Sequence, residues 1–223
     1  MTISLTYEEK IAILDLGDDE NRFSPSFLDD IDARLDEIVA GGAHGLVTTA
    51  TGKFYTNGLD LDWLAAHSEQ TRWYVGRVQG LLARMLTLPI PTAAAVVGHA
   101  FGAGAMLAVA HDFRVMRADR GFWCLPEADI KIPFSAGMSA LIQARLNPQT
   151  AHEAMTTGRR YGGHDALAAA IVDRTADEHE VRQAAIEIAG PQAAKADRVL
   201  GTIKSRMYAS VLDALREKDI PLG

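Results

Sequence analysis

The chain changes rhythm near residue 135, and this narrows the fold more than any other feature of the sequence. Before that point, apolar runs of strand length interleave with segments of helical periodicity; after it, every periodic segment repeats at the helical spacing. Residues 3–7 and 11–16 alternate apolar and polar side chains around Glu8-Glu9-Lys10, which predicts a β-hairpin. Ser24, Pro25 and Ser26 predict a helix start. Phe27, Leu28, Ile31, Leu35, Ile38 and Val39 then share one face, until Gly41-Gly42 ends the helix. A buried strand is predicted over 45–50, a loop over 52–60, a helix from Leu61, and a longer helix over 72–88 closed by Pro89 and Pro91. Residues 92–97 read as buried strand. Residues 98–104 read as a glycine-rich turn that opens a small apolar helix to about His111, and 112–116 and 121–125 as two more strands. Helices alone are predicted beyond, over 136–146, 148–157, 165–172, 181–189 and 192–216. No internal repeat and no Pro/Ser-rich linker interrupts the chain. Its 223 residues therefore read as one α/β domain, a core over 1–175 with a helical portion over 176–223.

Two glycine-bearing loops each follow a buried strand and lead into a helix: Gly52-Lys-Phe-Tyr-Thr-Asn-Gly-Leu-Asp-Leu and Gly98-His-Ala-Phe-Gly-Ala-Gly. The first amides of a helix lack intrahelical partners and sit at the positive end of its dipole, and glycine admits a ligand close to the backbone. Two such ends facing one point would hold a carbonyl oxygen as it gains charge. Either loop alone is equally a tight turn that packs a helix on a strand. The spacing Gly98, Gly102, Gly104 does not match a dinucleotide fingerprint, and neither a phosphate loop nor a Gly-x-Ser-x-Gly elbow occurs.

Among the acids, Glu127 follows Pro126 at the end of an apolar strand and is a candidate general base, with a capping or ion-paired glutamate as the plainer reading. Asp60 is placed to cap the helix from Leu61; Asp62 and Asp129 are candidates for a second carboxylate. The seven histidines show no ligand spacing with a carboxylate, so no metal site is expected, and His99 reads as a packing residue. Cys124, the single cysteine, reads as a small buried hydrophobe and fits a reducing compartment. With 22 basic against 29 acidic residues the net charge is −7, and no basic run suits a nucleic acid. The longest apolar stretches, 93–97 and 103–110, are too short for a membrane span, and no secretory pattern opens the chain. The expectation is a cytoplasmic protein.

At these residues the sequence resembles the enoyl-CoA hydratase/isomerase, or crotonase, superfamily, from the first hairpin to at least Asp173. The first loop is similar to the family's Phe-Ser/Ala-Ala-Gly-x-Asp-Leu. The run Pro91-Thr-Ala-Ala-Ala-Val-Val-Gly-His-Ala-Phe-Gly-Ala-Gly is similar to its second loop, and Asp112-Phe-Arg-Val-Met-Arg-Ala-Asp to the strand that follows. Leu125-Pro-Glu-Ala-Asp-Ile-Lys-Ile-Pro is similar to its Pro-Glu-x-x-x-Gly-x-x-Pro segment.

The resemblance implies a single crotonase-like domain: a spiral of ββα turns with a helical C-terminal portion, shorter than usual, assembled as a trimer or a pair of trimers. It implies an acyl-CoA thioester as substrate, with coenzyme A part of that substrate and no separate cofactor. The backbone amides of Leu59 and Ala103 become the oxyanion donors, and Asn57, Gly58, Leu59, Asp60, Leu61, Gly102 and Ala103 the acyl-CoA-binding residues. Hydratases of the family use two glutamates. Here Met106 stands at the first position and Glu127 at the second, a pattern similar to the Δ3,Δ2-enoyl-CoA isomerases of fatty acid β-oxidation. Shifting a double bond needs one base, Glu127, whereas hydration must also orient and activate water. A hydratase or other crotonase chemistry aided by Asp62 or Asp129, and an acyl-CoA-binding relative of weak activity, are the alternatives.

Overall fold

The computed structural model describes residues 3–217, so positions 1, 2 and 218–223 of the single-domain span lie outside the described residues. The hairpin expected at the start is present: β1 (Ser4–Glu8) pairs antiparallel with β2 (Ile11–Asp15). Helix α1 (Pro25–Ala40) begins where the sequence predicts, with the Ser24 hydroxyl accepting from the Phe27 amide at 3.2 Å. Phe27, Leu28, Ile31, Leu35 and Ile38 are buried, but Val39 is exposed: it sits one position past the apolar face, where the last turn meets solvent.

From there the chain coils. β3 (Gly45–Thr49), β4 (Phe54–Thr56), α2 (Leu61–Ala66) and α3 (Thr71–Thr87) form a first turn. β5 (Thr92–Val96), β6 (His99–Phe101) and α4 (Ala103–Ala110) form a second, and β7 (Phe113–Arg117), β8 (Trp123–Cys124) and α5 (Glu127–Ile130) a third. Then come α6 (Ala136–Arg145), α7 (Pro148–Thr157), α8 (Gly163–Ala168), β9 (Arg174–Ala176), α9 (Val181–Ala189), α10 (Arg198–Met207) and α11 (Ala209–Arg216). In each turn the first strand joins a six-stranded sheet of order β1-β2-β3-β5-β7-β9, and the second joins a three-stranded sheet of order β4-β6-β8. Apart from the β1–β2 pair, both sheets are parallel.

Three expectations need correction. The segments read as loops over 52–60 and 98–104 contain β4 and β6, whose three residues each are too few to display a period. Helices alone do not follow residue 135: β9 returns to pair with β7 at the sheet edge. The segment 192–216 is not one helix: the end of a short 3-10 helix (Gly190–Lys195) is followed by α10, starting at the Asp197 cap, and by α11 after Tyr208.

The central strands β2, β3 and β5 of the large sheet are buried on both faces, which explains their near-continuous apolar and small side chains. Ala12, Leu14, Leu46, Ala94 and Val96 face the main core with α1 and α3, while Ile11, Ile13, Val47, Ala93, Ala95 and Val115 face Val181, Ala184, Ala185 and Ala189 of α9. Helix α9 thus closes the sheet, while α11 packs on α6 and α3. Helix α10 is pinned by buried Lys204, whose ammonium donates to Asp112 Oδ2 at 2.6 Å and to the Ile90 carbonyl at 2.9 Å. No described helix is long and apolar enough to cross a membrane.

Candidate active site

The small sheet organises the site. Its parallel strands β4, β6 and β8 end at Thr56, Phe101 and Cys124, and the residues that follow each one converge at the carboxyl edge, where open parallel sheets offer a crevice.

After β4, the chain is fastened before it reaches the crevice. Buried Asn21, itself at φ +51°, donates to the Phe54 and Tyr55 carbonyls at 3.2 and 3.1 Å, and the Thr56 hydroxyl donates to the Asn21 carbonyl at 2.7 Å. The Gly58 amide donates to Thr56 Oγ1 at 3.1 Å. Gly58 has φ +78°, and a Cβ there would stand 2.6 Å from the Phe101 carbonyl and 2.9 Å from the Ala103 nitrogen. Only glycine lets the two loops meet this closely. Asp60 is tied as well: its amide donates to the Tyr74 hydroxyl at 2.7 Å, and its carboxylate caps α2 by accepting from the Trp63 amide at 3.1 Å. Between these fixed neighbours the Leu59 amide has no partner among the described residues.

After β6, Gly102 (φ +52°) precedes α4 and donates its amide to the Cys124 carbonyl at 3.0 Å. The Ala103 amide, at the first position of α4, is also without a partner among the described residues. Two free amides therefore stand on touching loops. After β8, Pro126 leads into α5, and Glu127 is its first residue, 9% exposed. A Cβ on Gly102 would lie 3.4 Å from Glu127 Oε1, so the carboxyl rests over the second loop, while its Oε2 is buried with no partner. Burial pushes the Glu127 carboxyl up from 4.5 to about 7, against the smaller opposing pull of its own amide.

A cavity of about 320 Å³ brings together Asn57, Leu59, Leu61, Gly102, Ala103 and Glu127 from the sequence-derived set. Gly58 and Asp60 do not line it; they hold the loop that does. Asn57 lines it with its side-chain amide turned to Glu20, at 3.1 Å. Sequence reasoning missed Arg22, Phe101, Pro126, Ile130 and Ile132. Arg22 arrives through tertiary structure, bonded to Glu20 and to Asp62 at 2.5 Å each; its one sequence signal is a lone cation closing the acidic turn 18–22.

The other acids fall away from the centre. Asp62 borders the cavity with its side chain 88% exposed and paired to Arg22, and Asp129 lies against Gly158, outside the lining. Met106 is 1% exposed in the wholly buried α4 and does not reach the cavity. His99 is a packing residue as read, its ring 4.9–5.6 Å from those of Phe54, Phe101 and Phe122. Cys124 is buried, its thiol donating to the Gly158 carbonyl and pushed up to about 11 by burial.

A family model described as enoyl-CoA hydratase/isomerase matches residues 6–219. Enoyl-CoA delta isomerase 3 of Arabidopsis thaliana is 36% identical over 203 residues, covering 86% of this chain and 85% of that protein. Enoyl-CoA delta isomerase 2, peroxisomal, of the same plant is 34% identical over 212 residues, covering 89% and 88%. The crystal structure of a probable enoyl-CoA hydratase from Mycobacterium tuberculosis superposes with a TM-score of 0.89 at 26% identity, covering 96% of this chain and 91% of that one. The mixed α/β fold with a helical C-terminal portion, expected from the sequence, is the fold these proteins share.

Proposed function

The chain belongs to the enoyl-CoA hydratase/isomerase family, and from that premise we propose that it is a Δ3,Δ2-enoyl-CoA isomerase. The substrate's thioester oxygen accepts from the Leu59 and Ala103 amides. The Glu127 carboxylate removes a proton from C2, and the electron pair spreads over a dienolate whose negative charge rests on that oxygen. The same carboxyl, now protonated, returns the proton at C4, which leaves the double bond between C2 and C3. Nothing is gained or lost overall, so no cofactor enters; coenzyme A is the handle of the substrate.

One observation carries the reading: a single buried carboxyl, Glu127, stands in a cavity with two unpartnered amides, and no second buried acid joins it among the described residues. Burial also brings its titration to about 7, close to the range in which a base that must take and then return one proton works best. Hydration would need a second group to handle water, and Asp62 is exposed and held by Arg22. The two delta isomerase relatives support the same choice, although the structural relative carries a hydratase name.

The test offers 3-enoyl-CoA and 2-enoyl-CoA in parallel and identifies the products. Conversion of the first without hydration of the second is expected; 3-hydroxyacyl-CoA from the second would overturn the assignment. Binding without turnover, seen as a rise in Tm with acyl-CoA, would favour the non-catalytic relative.

We extend the reading to assembly and compartment. Helix α10 exposes Val199, Ile203 and Met207, 63, 54 and 64%, a stripe that suits burial against another subunit in a trimer. Sedimentation of the purified protein tests this. The compartment proposed is the cytoplasm, on the strength of the single buried thiol; with two relatives named peroxisomal, imaging of the tagged chain in cells is the check.

A further inference from the structure

The two free amides stand on different elements, Leu59 on the loop after β4 and Ala103 on α4, and one must be fixed against the other. At the near end these elements touch through glycine: a Cβ on Gly104 would collide with the Thr56 carbonyl, as one on Gly58 would with the Ala103 nitrogen. Contact of this kind stops closer approach, whereas resistance to sliding needs directional bonds. A chain of hydrogen bonds in the core behind the amides supplies them. His111, the residue after α4, places Nδ1 2.8 Å from the Leu107 carbonyl, one of the last four carbonyls of the helix. A carbonyl can only accept, so Nδ1 carries the proton and Nε2 is the acceptor. The Thr48 hydroxyl on β3 therefore donates to Nε2 at 2.9 Å, and the Tyr55 hydroxyl on β4 donates to Thr48 Oγ1 at 2.7 Å. All three side chains are fully buried. Burial holds the His111 ring down to about 4 and pushes the Tyr55 hydroxyl up, so both stay neutral and the chain keeps one direction at any working pH.

We propose that Tyr55, Thr48 and His111 are positioning residues for the isomerisation: their chain ties β4, just before the loop that carries Leu59, to α4, and so holds the two amides at the separation from which both reach one oxygen. The proposal rests on the isomerase reading and gives a role to groups outside the catalytic cavity, since none of the three lines it. Three apolar side chains could fill the same space. Burying polar groups instead is costly unless every one is paired, and what the complete chain adds is a single arrangement of the two sheets and the helix it joins. Losing one oxyanion donor costs about 10²–10³-fold in kcat and an ångström of misplacement about 10²-fold, so a loosened pair should cost about 10–100-fold.

The experiment compares Thr48→Val, which keeps the outline of the side chain and removes the hydroxyl at the centre of the chain, with Thr48→Ser, which restores it. Thr48→Val is expected to lower kcat for 3-hexenoyl-CoA about 10–100-fold with KM within roughly three-fold, and Thr48→Ser to bring kcat back within roughly three-fold of wild type. Difference infrared spectra of bound hexanoyl-CoA, isotopically labelled at the carbonyl carbon, give a second readout. The wild type should draw the carbonyl stretch to lower frequency as the two amides polarise the bond, and Thr48→Val should return it at least about half-way to the free value. Ser135→Ala is the control for a buried hydrogen bond lost elsewhere, since Ser135 Oγ donates to Gln79 Oε1 at 2.6 Å; it should lower Tm and leave the band and kcat in place. Should Thr48→Val fail to fold, Tyr55→Phe breaks the first link alone and should move band and kcat in the same direction. A wild-type band shift that survives in Thr48→Val and Tyr55→Phe, or one lost equally in Ser135→Ala, overturns the positioning role and leaves the isomerase assignment intact. Absence of both band shift and turnover in the wild type overturns the assignment itself, and the positioning role with it.

Discussion

Replacing Glu127 by glutamine keeps the outline of the side chain and removes its titration, which turns the buried carboxyl into a measurable dependence of stability on pH. In the unfolded chain this carboxyl ionises around 4.5; in the fold, burial holds the proton to about 7. Between those values the folded state binds more protons than the unfolded one, so the wild type loses stability as pH rises through that window and levels off above it. At 1.36 kcal/mol per pH unit, the carboxyl costs the fold about 1 kcal/mol at pH 5 and about 3 kcal/mol at pH 8. Glutamine avoids this charge cost, but its own amide meets the same unpartnered surroundings, a cost of about 1–3 kcal/mol that does not vary with pH. The observable is therefore a double difference: from pH 5 to pH 8, Glu127→Gln should gain about 2–3 kcal/mol relative to wild type. For a chain of this size that is roughly 4–12 °C in relative Tm. Urea unfolding of both proteins at the two pH values, read by linear extrapolation, measures it. A double difference within about 0.5 kcal/mol of zero would mean that the carboxyl is not desolvated, and the argument for a base tuned by burial would fail.

Kinetics should follow the same group. Glu127→Gln is expected to lower kcat for 3-enoyl-CoA by about 10²–10⁴-fold, and wild-type kcat/KM should rise with pH through about 7, as the free enzyme's base ionises. Gly58→Ala should destabilise by more than about 1–3 kcal/mol in chemical denaturation, since the added Cβ combines a positive φ with backbone atoms at 2.6 and 2.9 Å. Met106→Glu should yield no hydration product by chromatography. It should instead unfold more readily at pH 8 than at pH 5, because α4 offers position 106 only core and the new carboxyl would bind its proton more tightly folded than unfolded.

The parts of the fold legible from the sequence were those whose signals are local. Ser24 before Pro25 marks a helix start by cap chemistry alone, and Asp60 marks α2 in the same way. The two glycine loops announce themselves because positive φ and close approach select glycine whatever lies around them. Their embedded strands do not, since β4 and β6 are ordered by pairing with each other rather than by any period of their own. β9 stayed hidden for the same reason, lying at a sheet edge whose other members are far away in sequence. In the site, Glu127 could be singled out from its apolar neighbours, yet its orphaned oxygen and raised titration come from distant chain. Gly58 and Asp60 show the limit of motif reading. They belong to the pattern that identifies the loop, but in the structure they hold the loop in place from outside the cavity lining.

Because the two amides and the carboxyl follow three adjacent strands of one parallel sheet, their spacing is metered by the separation of about 4.8 Å between hydrogen-bonded strands rather than by the helices that carry the chain from strand to strand. The outer circuit can lengthen or shorten, for instance around the short helical turn Ser68–Gln70, without resetting that ruler. Such a design insulates the chemistry from drift in the periphery and leaves substrate choice free to vary there.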